Sequence, residues 1–178
     1  MASGSSPIHD SATKWPPFPV WADAVIEREG WRARPVLGLA QVLVSGDVGA
    51  AFGTHAPGAT EVGLWGMAST DPVAARLARD RVLLVGFGPL DMPLGWNGGW
   101  AASPAGDAWF VVDIEGPAMA DVIREGTAAD LEASSPSAAI LFAGVQAILY
   151  RRADCHARLH VEAPYGPYLW RWLEARAG

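Results

Sequence analysis

Phe110-Val-Val-Asp-Ile-Glu-Gly-Pro117 and Pro167-Tyr-Leu-Trp-Arg-Trp-Leu-Glu174 frame the part of the chain that decides its fold. The first is an apolar, β-branched run that ends in Gly-Pro, which stops a strand and opens a helix. Met119, Val122 and Ile123 then recur at helical spacing, and Gly126 closes that helix. Ala139 to Tyr150 reads as a hairpin turning at Ala143-Gly144, and Ala157-Arg-Leu-His-Val-Glu162 alternates as a strand. Pro164 and Pro167 open the last helix. Its apolar spacing predicts a buried face of Tyr168, Leu169, Trp172 and Leu173, with Trp170 off that face.

Working outward, Pro35 to Val44 predicts one or two strands, stopped by Ser45-Gly-Asp47. Glu61 to Met67 predicts another. Asp71-Pro72 has the residues of an N-cap and first helical position, with Val73 and Leu77 on one face behind them. Arg81 to Phe87 is a continuous apolar run, as a buried strand requires. Pro72 and Pro117 each follow one strand and precede another, so the chain reads as two related strand–helix–strand units. The predicted class is α+β with a mainly antiparallel sheet, ferredoxin-like in arrangement. Residues 1–30 read as a flexible tail, and residues 31–178 as a single domain of two halves, 31–100 and 101–178. In the tail, Trp15-Pro-Pro-Phe-Pro-Val-Trp21 excludes helix and favours an extended path on which Trp15, Phe18 and Trp21 share a face. Such a segment packs its aromatics on its own domain or serves as a docking arm.

Composition narrows the function. Hydrophobic residues make up 51% of the 178 and charged ones 18%, with nine tryptophans, and a chain this short cannot bury that much apolar surface. All basic residues except Lys14 are arginine; arginine and tryptophan are enriched at protein interfaces, where lysine is depleted. A net charge of −6 without a basic stripe excludes nucleic acid. The single Cys155 excludes an intramolecular disulfide. The first ten residues lack the basic start and apolar core of a signal peptide, and the apolar runs are too short to span a bilayer. The expectation is a cytoplasmic protein.

Motifs of chemistry are few. Gly86-Phe-Gly-Pro-Leu-Asp91 follows a strand but has Asp91 where a dinucleotide fingerprint needs its third glycine, and Pro89 and Pro93 spoil the helix. His156 and His160 share one face of a strand near Cys155, with nothing in the sequence to complete a zinc site, and read as a surface pair. No Gly-x-Ser-x-Gly elbow occurs. Asp113 and Glu115 share a strand face and could do acid–base work, or could simply face water at the end of a half-buried strand. Gly95-Trp-Asn-Gly-Gly-Trp100 reads as a turn whose tryptophans cover a seam or form a partner loop.

The wording of the second half, above all Asp107 to Pro117 and Tyr168-Leu-Trp-Arg-Trp-Leu-Glu174, resembles the gamma subunit of heterotetrameric sarcosine oxidases, a relative of the folate-binding aminomethyltransferase fold. Pro35 to Asp47 resembles that family's opening strand and Gly-Asp turn. The resemblance implies a non-catalytic small subunit with no catalytic, cofactor or metal residues of its own. Flavin, NAD and folate would sit in larger flavoprotein subunits that oxidatively demethylate sarcosine or related N-methyl amino acids. Partner-contact candidates are then Trp170, Trp15, Phe18, Trp21, Trp96 and Trp100. The alternative is a stand-alone tetrahydrofolate-binding or one-carbon-transfer protein of the same fold, with Asp113 or Glu115 bonding a pterin and Trp96 or Trp100 stacking on it.

Overall fold

The computed structural model describes residues 18–133 and 135–176. The chain runs β1 (Ile26–Arg28), β2 (Trp31–Pro35), β3 (Leu39–Gly46), α1 (Val48–His55), β4 (Thr60–Val62), β5 (Val73–Ala78), β6 (Arg81–Phe87), β7 (Gly95–Trp96) and β8 (Trp100–Pro104). It continues through β9 (Trp109–Glu115), α2 (Met119–Gly126), β10 (Ala139–Phe142), β11 (Val145–Ala153), β12 (His156–Glu162) and α3 (Gly166–Glu174). Two six-stranded sheets result, ordered β1-β2-β9-β12-β11-β10 (sheet A) and β4-β5-β6-β3-β8-β7 (sheet B). Neighbouring strands are antiparallel, apart from the parallel pair β4–β5. The α+β class and mainly antiparallel pairing are as the sequence predicts.

Strand alternation gives each sheet two apolar faces, and each needs a cover. Val112, Ile114, Leu149 and Leu159 of sheet A meet Val122 and Ile123 of α2 and Leu169 and Leu173 of α3. Val42, Val44 and Leu84 of sheet B meet Val48 and Ala51 of α1. Between the sheets, Ile148 and Tyr150 pack against Val73, Ala75, Leu83 and Val85. The layers therefore run helices, sheet A, sheet B, helix. Among the described residues no helix is long and apolar enough to cross a membrane.

The internal repeat is real, but its members differ from those expected. β3-β6-β5-β4 in sheet B has the same order as β9-β12-β11-β10 in sheet A, with one helix after each leading strand. The counterpart of the Gly116-Pro117 helix start is Gly46-Asp47. Asp47 caps α1 by accepting from the Ala50 N–H at 3.0 Å. The helix expected at Asp71-Pro72 is instead strand β5. Val73, Ala74 and Ala75 are all fully buried, which a strand between two sheet neighbours achieves and a one-faced surface helix cannot. α1 escaped notice because Val-Gly-Ala-Ala-Phe-Gly-Thr-His carries two glycines and little polar contrast. The strand expected over Glu61 to Met67 shrinks to Thr60–Val62, followed by single bridges at Leu64 and Met67.

Each repeat lends the other a hairpin. β1–β2 precedes β3 yet pairs with β9, and β7–β8 precedes β9 yet pairs with β3. The lent strands match in wording: Trp31-Arg-Ala-Arg-Pro35 and Trp100-Ala-Ala-Ser-Pro104, both tryptophans buried. Gly46 and Gly116 close the leading strands with φ of 99° and 119°. A Cβ on Gly46 would meet the carbonyl oxygen of Gly99, and one on Gly116 that of Gly30, just before the matched tryptophans. Those two carbonyls accept from Asp47 N–H at 3.0 Å and Ala118 N–H at 2.9 Å. Sheet A thus begins inside the segment expected to be a tail: Ile26 is in the core, and Trp21 packs on Phe110 and Trp170.

Trp170 is corrected too. It is 3% exposed, within the core under α3. A Cβ on Gly166 would meet the Phe110 ring, so the helix approaches the sheet on the Gly166–Leu169–Trp170–Leu173 stripe, and Tyr168 turns outward. Trp170 therefore offers no surface to a partner in this fold.

Candidate functional site

The inter-sheet layer changes character at β9. Alternation turns Val111, Asp113 and Glu115 toward sheet B. Register pairing sets Arg34 of β2, Asp113 of β9 and Arg158 of β12 side by side. The next row is Arg32, Glu115 and His156. Each row has a carboxylate in the middle and a basic side chain on either side.

The bonds within this grid are unequal. Arg158 Nε and Nη2 donate to the two Asp113 oxygens at 2.7 and 2.9 Å, with both side chains buried. His156 Nε2 lies 3.0 Å from Asp113 Oδ2. Arg32 Nε donates to Glu115 Oε2 at 2.8 Å. Arg34, more than half exposed, reaches Glu115 only at 3.4 Å. Arg158 Nη1 is buried in register beside Tyr150 and meets no acceptor at good hydrogen-bond geometry among the described residues. Burial by itself would raise the Asp113 pKa, but the Arg158 guanidinium, aided by His156, outweighs it and holds the carboxyl at about 2.

A neutral chain runs deeper. Burial, reinforced by the charge of Arg158, pushes His160 down to about 3. The Gln41 amide nitrogen points at the Gly106 carbonyl (3.4 Å), so its oxygen accepts from His160 Nδ1–H at 3.0 Å. His160 Nε2 then accepts from the Tyr150 hydroxyl at 3.1 Å. These bonds tie sheet A to β3 of sheet B through the middle of the molecule.

Over the charged grid opens a cleft of about 710 Å³. Arg32, Arg34, Arg152, Arg158, His156 and Asp113 line its polar side, and Trp21, Val25, Leu37 and Phe87 its apolar side. Val25, Leu37 and Phe87 are 53%, 53% and 58% exposed. Asp113, Glu115 and His156 could present three ligand atoms within 4.8 Å of one another. Both carboxylates are already engaged by guanidiniums, so a cation there would have to displace Arg158 or Arg32.

The sequence therefore pairs Asp113 and Glu115 on the right face and misjudges their setting. Asp113 is buried rather than wet, and His160 is enclosed between the sheets rather than at a surface edge. An isolated strand does not reveal that two arginines and a second sheet will cover it. The pterin grouping is not assembled: Trp100 is buried on the α1 side of sheet B beside His55, and Trp96 is 75% exposed on β7. Of the partner-contact candidates, Phe18 and Trp96 are exposed, Trp21 is half-buried at the cleft, and Trp15 lies outside the described residues. Arg34 and Arg152 were missed; the alternation of arginines in Trp31-Arg-Ala-Arg-Pro35 is the signal that could have found the first.

No protein-family model matches the sequence, and no curated protein does. Among solved structures, the chain is similar to one from "Heterotetrameric Sarcosine Oxidase from Corynebacterium sp. U-96 in complex with pyrrole 2-carboxylate". The TM-score is 0.65 at 20% identity, over 86% of this chain and 86% of that one. The chain thus has the fold of a subunit of that oxidase.

Proposed function

We propose that this protein is a small, gamma-type, non-catalytic subunit of a heteromeric, flavin-dependent oxidase of sarcosine or related N-methyl amino acids. The observation that carries this reading is the shared fold over equal, large shares of both chains, which implies two chains of similar length. Exposed Phe18, Val20, Trp96, Leu141 and Tyr168 support it, since large apolar side chains left in water are commonly partner-facing. The flavins, and any NAD or folate, belong to the larger subunits in this reading, and the complex is cytoplasmic.

The test is co-expression with the products of the neighbouring genes, followed by size-exclusion chromatography with in-line mass and flavin absorbance. Co-elution at the mass of a defined complex is expected. A monomer that ignores those products overturns the proposal.

A further inference from the structure

A motif still without a role is Gly95-Trp-Asn-Gly-Gly-Trp100. Asn97 is the chain's only asparagine, and no Asp-Gly pair occurs. It stands at the tip of the β7–β8 hairpin, where its N–H donates to the Trp100 carbonyl at 2.8 Å. Its amide nitrogen Nδ2 donates to the Pro93 and Gly95 carbonyls at 3.0 and 2.9 Å. Asn97 thus latches β7, a short edge strand that carries the exposed Trp96. Gly98 and Gly99 follow with φ of 62° and 129°, and outside the adjacent residues nothing lies within 4 Å of either Cβ position. The Gly98 N–H meets no acceptor among the described residues.

We propose that Asn97 is a modification site at which the chain spontaneously deamidates, and that the change releases the hairpin presenting Trp96. The reaction needs only water. The Gly98 nitrogen loses its proton to solvent base and bonds to Asn97 Cγ. The Cγ–Nδ2 bond breaks, and Nδ2 takes up a proton and leaves as ammonia. Water then opens the cyclic imide at either carbonyl, giving aspartate or isoaspartate; nothing is oxidised or reduced. A side chain on residue 98 would crowd the attacking nitrogen, and glycine has none. The two hydrogen bonds from Nδ2 must be given up, so the folded chain converts more slowly than a free peptide. The product carboxylate has no N–H for the Pro93 and Gly95 carbonyls and brings its charge against both. Isoaspartate also lengthens the main chain beside the Trp96–Ala101 pair and disturbs its register. The site is independent of whether the chain assembles with an oxidase.

The test is to age the full chain at mildly alkaline and at mildly acidic pH. Ammonia release, charge-resolving chromatography and isoaspartate labelling with its methyltransferase follow the reaction, and peptide mapping locates it. One acidic species should accumulate, modified at Asn97, and faster at alkaline pH because the attacking nitrogen must lose its proton. Asn97→Gln should abolish it. By hydrogen exchange, amide protection across the β7–β8 pairs should fall about tenfold in the converted chain and in Asn97→Asp, while the β3–β6 pairs keep theirs. A folded chain that stays unconverted under conditions that convert the free peptide Leu94–Trp100 overturns the site, as does equal acid formation in Asn97→Gln. Conversion that leaves β7–β8 protection unaltered overturns the latch.

Discussion

The two repeats set their three central strands in the same register around different chemistry. In sheet A the central grid is Arg34–Asp113–Arg158 above Arg32–Glu115–His156. At the matching positions of sheet B stand Ser103–Leu43–Leu83 above Ala101–Ser45–Arg81. His160 faces Val111 where Val85 faces Gln41. The buried centre of the sheet B grid is thus the aliphatic pair Leu43–Leu83 where sheet A has an ion pair, and the neutral chain from Tyr150 and His160 crosses to Gln41 of sheet B. The backbone alone requires neither filling, since both grids are held by identical ladders. A buried ion pair is at best a break-even substitute for packed leucines. The charged grid is therefore better explained by the cleft it lines than by the stability it adds.

That contrast can be broken most forcefully at the ion pair. Arg158→Leu alone leaves Asp113 buried without its partner and should cost about 3–5 kcal/mol of folding stability. Asp113→Leu with Arg158→Leu copies the Leu43–Leu83 pair and should return to within about 1 kcal/mol of the parent in urea unfolding. If the double variant is as unstable as the single one, the two grids are not interchangeable. A smaller effect tests the likeness rather than the difference. Gly46→Ala and Gly116→Ala both force a Cβ onto a carbonyl at positive φ, and each should cost about 2–3 kcal/mol. Clearly unequal losses would argue against equivalent turns.

The third effect is the acid response of the polar repeat. The folded His160 pKa is lowered from 6.5 to about 3, so the unfolded chain binds a proton that the folded one refuses. Its contribution is complete above about pH 6.5 and is lost as pH falls toward 3, by at most about 1.4 kcal/mol per pH unit. Asp113, lowered from 3.8 to about 2, adds its own loss only within that lower window. His160→Val, the counterpart of Val85, should flatten the urea midpoint against pH between 6.5 and 4 whatever it does at neutrality. An unchanged slope would place the acid response elsewhere.

Much of the second half was legible because its elements announce themselves locally. Gly116-Pro117 opens α2, Ala143-Gly144 turns the hairpin, and Pro164 and Pro167 lead into α3. The first half hides its helix in a glycine-bearing octapeptide and offers Asp71-Pro72 as a decoy before a strand. The matched Trp-x-Ala-x-Pro strands were in plain sight, but their meaning lies in partners distant in sequence. The site was half legible for the same reason. Strand period put Asp113 beside Glu115, yet only the fold brings Arg34 and Arg158 to either side and encloses His160. Trp170 was misplaced because two helical stripes fit α3, and the close approach of Gly166 to Phe110 decides between them.

The exchanged hairpins have a consequence for how the chain is made. During synthesis β1 and β2 emerge early, but the strand that completes their edge, β9, is not translated until more than half of the chain has been made. Sheet B likewise waits for β8. Neither half can close while the other is missing, so no cut between β6 and β7 should release an independently folding fragment. Such long-range pairings slow folding and leave apolar edges open in the interim. The nascent first half is thus the stage at which this protein most needs protection from aggregation.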